Sequence, residues 1–291
     1  MTISWQWSVP AGLLPFDTLD RAVEMCAQAG ITAIEGQTKA FDHVRDDEQW
    51  DTIKRRLKDA GVRVSTFHLP FSPSVDLANL YETQRKAAVA ETIRWVEVAA
   101  RLDCRLGVTH PTTCGHSVDD EGLDRLLDQL SKSAQELLPT LREHGFRVAV
   151  ENMLPGFRGG RFGSLPEHFH HMAQRLDEAH FGFCLDTGHA LVATSPEAVD
   201  EFVDVMGQRL IAFHLADNAG DRDSHLAPGR GLVDWHRVFN HMARIGFDGY
   251  ACIETPPFAS GPDYSIKAWR DHLAQATELA TASLESTPAS R

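Results

Sequence analysis

Apolar and polar positions follow two rhythms along this chain. Short, mostly apolar runs are separated by stretches in which apolar side chains return every third or fourth position. The first rhythm belongs to strands buried on both faces, the second to helices with one buried stripe. Eight runs are predicted as strands: residues 3–8, 31–35, 62–68, 106–110, 146–151, 181–186, 210–214 and 250–254. Helices are predicted over 17–30, 47–60, 80–102, 123–145, 166–176, 196–207, 234–246 and 265–284, with Gly30, Gly61 and Gly145 as stops. Residues 285–291 are expected to fray.

Strict β–α alternation with short connections predicts parallel strands joined by right-handed crossovers. Eight such units in 291 residues predict one α/β domain, a (β/α)8 barrel, which typically needs about 250 residues. A doubly wound sheet is the alternative, but it would be helped by a phosphate-binding glycine signature. Neither GxGxxG nor GxxxxGK[ST] occurs. The glycine-rich stretch 156–163 has the wrong spacing and reads as an active-site loop.

The barrel expectation changes what the strand ends mean. The runs end in Glu35, His68, His110, Glu151, Asp186, His214 and Glu254. In a barrel the carboxyl ends of all strands converge on one mouth. So many acids in one place would raise one another's pKa unless a cation neutralised them. Carboxylate and imidazole without thiolate suit Mn²⁺, Zn²⁺, Mg²⁺ or Co²⁺. Glu151, Asp186, His214 and Glu254 are taken together as metal ligands. His68, His110, His189, Asp223 and His225 are candidate substrate-binding residues or additional ligands. Glu35, with no other signal around it, reads as a capping or salt-bridge residue. His168, His170 and His171 read as a solvated helix face. Trp5, Trp7, Phe71 and Phe258 are either barrel core or a sugar-stacking wall. Arg158, Arg161, Arg222 and Arg230 could meet an anion or remain surface charges.

Bulk properties remove some function classes. The net charge is −13, against the basic face a nucleic-acid binder needs. No apolar run reaches the roughly 18 residues of a membrane span, and the first ten residues lack a signal-peptide pattern. Five scattered cysteines without CxxC spacing read as reduced thiols of a cytoplasmic protein.

The segments VENM at Glu151, LDTGH at Asp186–His189, FHLADN at His214, HLAPGRG from His225 and IET at Glu254 resemble the xylose-isomerase-like barrel proteins. The resemblance covers nearly the whole chain. That superfamily includes sugar isomerases, ketose 3-epimerases and zinc-dependent apurinic-site endonucleases. In its isomerases and epimerases, the positions matching Glu151, Asp186, His214 and Glu254 hold one divalent metal, with Mn²⁺ the first expectation here. The two glutamates also serve as acid and base. The resemblance therefore implies an isomerase or epimerase of a sugar or keto-sugar that works through a metal-stabilised enediolate, with His189 and Arg222 gripping substrate hydroxyls. Lyase or hydratase chemistry would use the same site. In the endonucleases nine ligands hold three zinc ions, and candidates for all nine are present: His68, His110, Glu151, Asp186, His189, His214, Asp223, His225 and Glu254. Family members often form dimers or tetramers, so a homo-oligomer is compatible with this reading.

Overall fold

The computed structural model describes residues 2–16, 18–112, 115–156, 160–193, 198–257 and 265–286. Cys114, Arg158, Phe258 and the end of the tail lie outside them. Eight parallel strands close into a barrel in chain order: β1 Gln6–Pro10, β2 Ala33–Gln37, β3 Arg63–His68, β4 Leu106–Thr109, β5 Arg147–Glu151, β6 Phe181–Asp186, β7 Leu210–Leu215 and β8 Tyr250–Ile253. The helices are α1 Leu19–Ala29, α2 Asp47–Asp59, α3 Glu82–Arg101, α4 Val118–Glu121, α5 Leu123–His144, α6 Pro166–Arg175, α7 Thr187–Ala193, α8 Ala198–Met206, α9 Trp235–Arg244 and α10 Ile266–Glu285. The predicted (β/α)8 barrel is the observed architecture.

Local chemistry explains where helices begin and end. Asp46, Asp234 and Ser265 each accept a backbone N–H three residues on, capping α2, α9 and α10. Gly145 ends α5 at φ 56°, a left-handed conformation that a side chain would strain.

Side chains two apart on a strand share a face. Glu151 therefore points into the barrel with Ala149, Asp186 with Cys184, and His214 with Ala212. Beneath the polar mouth, Val108, Ala149, Cys184 and Ala212 pack as a separate small apolar cluster. The larger core lies outside the barrel, between strands and helices. Trp5 and Trp7 belong there: Trp5 stacks on Phe239 of α9 at 5.8 Å, and Trp7 Nε1 donates to Thr277 of α10 at 2.8 Å. Neither is a sugar wall. Cys26, Cys104, Cys184 and Cys252 are buried free thiols. Among the described residues no helix is long and apolar enough to cross a membrane.

Three expectations are corrected. β2 does not stop at Glu35; it continues through Gly36 and Gln37 because these pair with Phe67 and His68 of β3. Glu35 thus sits inside the strand, one step below the mouth. A short helix, α7, follows Asp186 directly, ahead of the predicted one. The Asp186 Oδ1 accepts the His189 N–H at 2.6 Å and so caps that helix. Finally, His168 is not solvated. It is buried and its Nδ1 accepts the Gly163 N–H at 3.0 Å, tying α6 to the loop after β5. His170 is exposed and His171 half-buried.

Candidate metal centre

The barrel brings Glu151, Asp186, His214 and Glu254 together. One ligating atom from each lies within 4.8 Å of the others. His214 Nδ1 is 3.3 Å from both Glu151 Oε1 and Glu254 Oε2. His68, on β3, forms an overlapping group with Glu151 and His214. Glu151 is central. Its Oε2 faces His110 Nε2 at 3.3 Å and His68 Nε2 at 3.6 Å, and its Oε1 faces His189 Nδ1 at 3.4 Å.

The loop after β7 supplies a further group. Asp223 Oδ2 lies 2.9 Å from His225 Nε2 and 3.5 Å from His189 Nε2. His225 Nδ1 donates to the Glu254 carbonyl at 2.7 Å, and His189 Nδ1 to the Asn152 carbonyl at 2.8 Å. Both imidazoles thus turn Nε2 toward the same carboxylate. His225 holds φ at 43°, a left-handed conformation uncommon for a residue with a side chain. Arg222 is exposed on this loop.

The polar atoms left over bear on whether the cluster could hold a cation. Glu151 Oε2, Asp186 Oδ2 and His214 Nδ1 are buried without a hydrogen-bond partner. Buried polar atoms are normally paired, and three orphans from one quartet fit a cation taking their free electron pairs. The donor set, three carboxylates and one imidazole, is that of a hard or borderline divalent ion. The residues present therefore fit a metal.

The acids and imidazoles of the cluster shift one another strongly. Burial pushes Asp186 up, to about 7, with Glu151 and Glu254 adding to the shift against His189. Burial also works against the charged form of Glu254, but His214 outweighs it and holds Glu254 at about 2. Desolvation would lower His189, yet Asp186, Asp223 and Glu151 lift it to about 10. His214 is likewise raised, the surrounding acids overcoming its burial. His110 goes the other way, to about 4, because its burial exceeds the pull of Glu151.

Asn152 and Asp217 are not among the candidates that the sequence offers, and Phe71 is named there only as core or wall. Asn152 closes a pair of bonds with Asp186: its Oδ1 accepts the Asp186 N–H at 2.6 Å and its amide donates to the Asp186 carbonyl at 2.9 Å. Asp217 is fully buried and accepts the N–H groups of Asn218, Gly229, Gly231 and Val233 and the indole N–H of Trp235. It shapes the loop that carries Asp223 and His225. Gly231 is required there, because a Cβ would lie 2.3 Å from the Asn218 carbonyl oxygen and 2.4 Å from Asp217 Oδ1. Phe71 is exposed yet lies against the centre, its ring 4.1 Å from that of His110 and 4.9 Å from that of His68.

The profile of the family described as xylose isomerase-like TIM barrel matches residues 23–276. The chain belongs to that family. Among solved structures, a D-tagatose 3-epimerase-like protein superposes with a TM-score of 0.76 at 24% identity, over 96% of this chain and 97% of that one. The D-psicose 3-epimerase of Clostridium cellulolyticum H10 superposes with a TM-score of 0.69 at 18% identity, over 96% and 97%. In sequence, the uncharacterized protein MJ1311 of Methanocaldococcus jannaschii is 32% identical over 190 residues, 64% of this chain and 62% of that relative. The chain thus spans less than two thirds of MJ1311.

Proposed function

We propose that this xylose isomerase-like barrel is a divalent-metal-dependent isomerase or epimerase of a sugar or keto-sugar. The carrying observation is the pair of carboxylates facing one imidazole: Glu151 and Glu254 each approach His214 Nδ1 at 3.3 Å. The likeness of its fold to a D-tagatose 3-epimerase-like protein and a D-psicose 3-epimerase supports the same substrate class.

Glu151, Asp186, His214 and Glu254 would hold the metal, with Mn²⁺ the first choice and Zn²⁺, Mg²⁺ or Co²⁺ the others. Bound there, the cation would supply Lewis-acid stabilisation to the negative charge that develops when a proton leaves the carbon beside a carbonyl. The chain's own groups do the rest. Glu151 and Glu254 are the proton-transfer pair, one accepting and the other returning the proton. Glu254 is the more open, its side chain 15% exposed against 1% for Glu151. His189, held by the Asn152 carbonyl through Nδ1, presents Nε2 to a substrate hydroxyl. Arg222 would reach the same substrate from the loop.

The test is solvent deuterium uptake. Chain loaded with Mn²⁺ and incubated with a panel of ketoses in D₂O should place deuterium beside the carbonyl of at least one sugar. Glu151→Gln and Glu254→Gln, folded by circular dichroism, should lose this by about 10³-fold or more. Wild-type-like exchange in either variant refutes the assignment.

A second reading has a specific observation behind it. His68 and His110 share Glu151 Oε2, and Asp223 lies between His189 and His225. With the quartet, these offer donors for three ions, as in a zinc-dependent phosphodiester hydrolase. The net charge of −13 weighs against tracking a phosphate backbone. Metal content separates the readings: about one ion per chain supports the sugar enzyme, about three zinc ions the hydrolase.

A further inference from the structure

We propose that Glu35 is a positioning residue that orients His214 for metal binding, an inference that rests on His214 being a ligand. Both side chains are fully buried. Glu35 Oε2 lies 3.0 Å from His214 Nε2 and also accepts the Thr66 hydroxyl at 2.9 Å. Register explains the meeting: Glu35 pairs with Thr66 across β2 and β3, and the extension of β2 beyond Glu35 puts the carboxylate in the barrel, where the His214 ring arrives from β7.

A carboxylate accepts, so Nε2 carries the hydrogen and Nδ1 is the atom free for a cation. Nδ1 is the nitrogen that faces Glu151 and Glu254, and it is buried without a hydrogen-bond partner. Metal-bound histidines commonly donate their other N–H to a carboxylate, which holds the ring and raises its basicity; losing that partner typically weakens metal binding 10- to 100-fold. The Thr66 hydroxyl keeps the carboxylate from rotating away.

A purely structural role explains the residue poorly. Burying a carboxylate carries a large desolvation cost, and Glu35 Oε1 has no hydrogen-bond partner. The neighbouring interior layer of Val108, Ala149, Cys184 and Ala212 shows that this barrel fills such positions with small apolar groups where nothing else is needed.

The experiment is a Co²⁺ titration of the full metal-free chain, read by visible d–d absorption, with melting of the metal-free chain in parallel. Glu35→Gln keeps the shape and removes the charge; Glu35→Leu removes the acceptor. Both should raise the Co²⁺ dissociation constant about 10- to 100-fold and alter the d–d bands, while metal-free Glu35→Gln melts no lower than wild type. Thr66→Val should shift affinity in the same direction by less. If Glu35→Gln binds Co²⁺ within twofold of wild type with unchanged bands, the positioning role is refuted. It is also refuted if the affinity loss comes with an equal loss of metal-free stability. A wild-type chain that takes up no Co²⁺ refutes the metal reading itself, and this inference with it. Should Glu35→Leu fail to fold, Glu35→Gln decides alone.

Discussion

Replacing Asp217 by Asn tests whether the loop over the mouth is held by one buried carboxylate. Oδ1 accepts from Asn218 and Val233 at 3.0 Å each. Oδ2 accepts from Gly229 at 3.0 Å, Gly231 at 2.9 Å and the Trp235 indole at 2.8 Å. Asn supplies one oxygen and one NH₂. In its better orientation the NH₂ replaces Oδ1 and sets two N–H donors against a donor; in the other it strands three. Each buried donor left unpaired costs about 1–3 kcal/mol, so the substitution should destabilise by about 4 kcal/mol. For a chain of 291 residues that corresponds to a melting temperature lower by about 6.5 °C. Urea unfolding followed by circular dichroism measures the loss, and amide exchange at Gly229, Gly231 and Val233 should accelerate together. Because Asp223 and His225 ride on this loop, kcat/KM should fall by about tenfold or more while Co²⁺ still binds the Glu151 quartet. A loss under about 1 kcal/mol with unchanged exchange would refute the account.

Two further outcomes are expected. Phe71→Ala should raise KM for the sugar about five- to tenfold, the worth of one aromatic contact of about 1 kcal/mol, with kcat and metal affinity unchanged; steady-state kinetics checks this, and an unchanged KM removes Phe71 from the substrate wall. His168 and His272 are both held at about 4 by burial, below the usual 6.5 of the unfolded chain. Each therefore leaves stability intact above pH 6.5 and costs it as the pH falls toward 4, by up to about 3 kcal/mol per residue. Urea midpoints at pH 7 and pH 5 should show the drop, and it should shrink in His168→Asn; an equal drop in wild type and variant counts against the assignment.

The architecture, and with it the shared position of the strand ends, is legible in the pattern of apolar residues. The period of apolar residues sets strand and helix, and eight alternations leave a closed barrel as the compact solution. Closure carries every strand end to one rim, so Glu151, Asp186, His214 and Glu254, far apart in the chain, were legible as one group. Tertiary structure decided what depends on register and on loop paths. Glu35 looked like an isolated strand-end acid until pairing with β3 carried β2 two residues further and placed the carboxylate beneath His214. His168 looked solvated because its helix face is polar in sequence, yet the returning loop at Gly163 covers it. Asp217 carries no signal in the sequence, since its five donors come from residues of the loop and from Trp235 beyond it. The physical reason is common to all three. A side chain's periodicity is a local property of the backbone, whereas its hydrogen-bond partners are set by which segments fold back upon it.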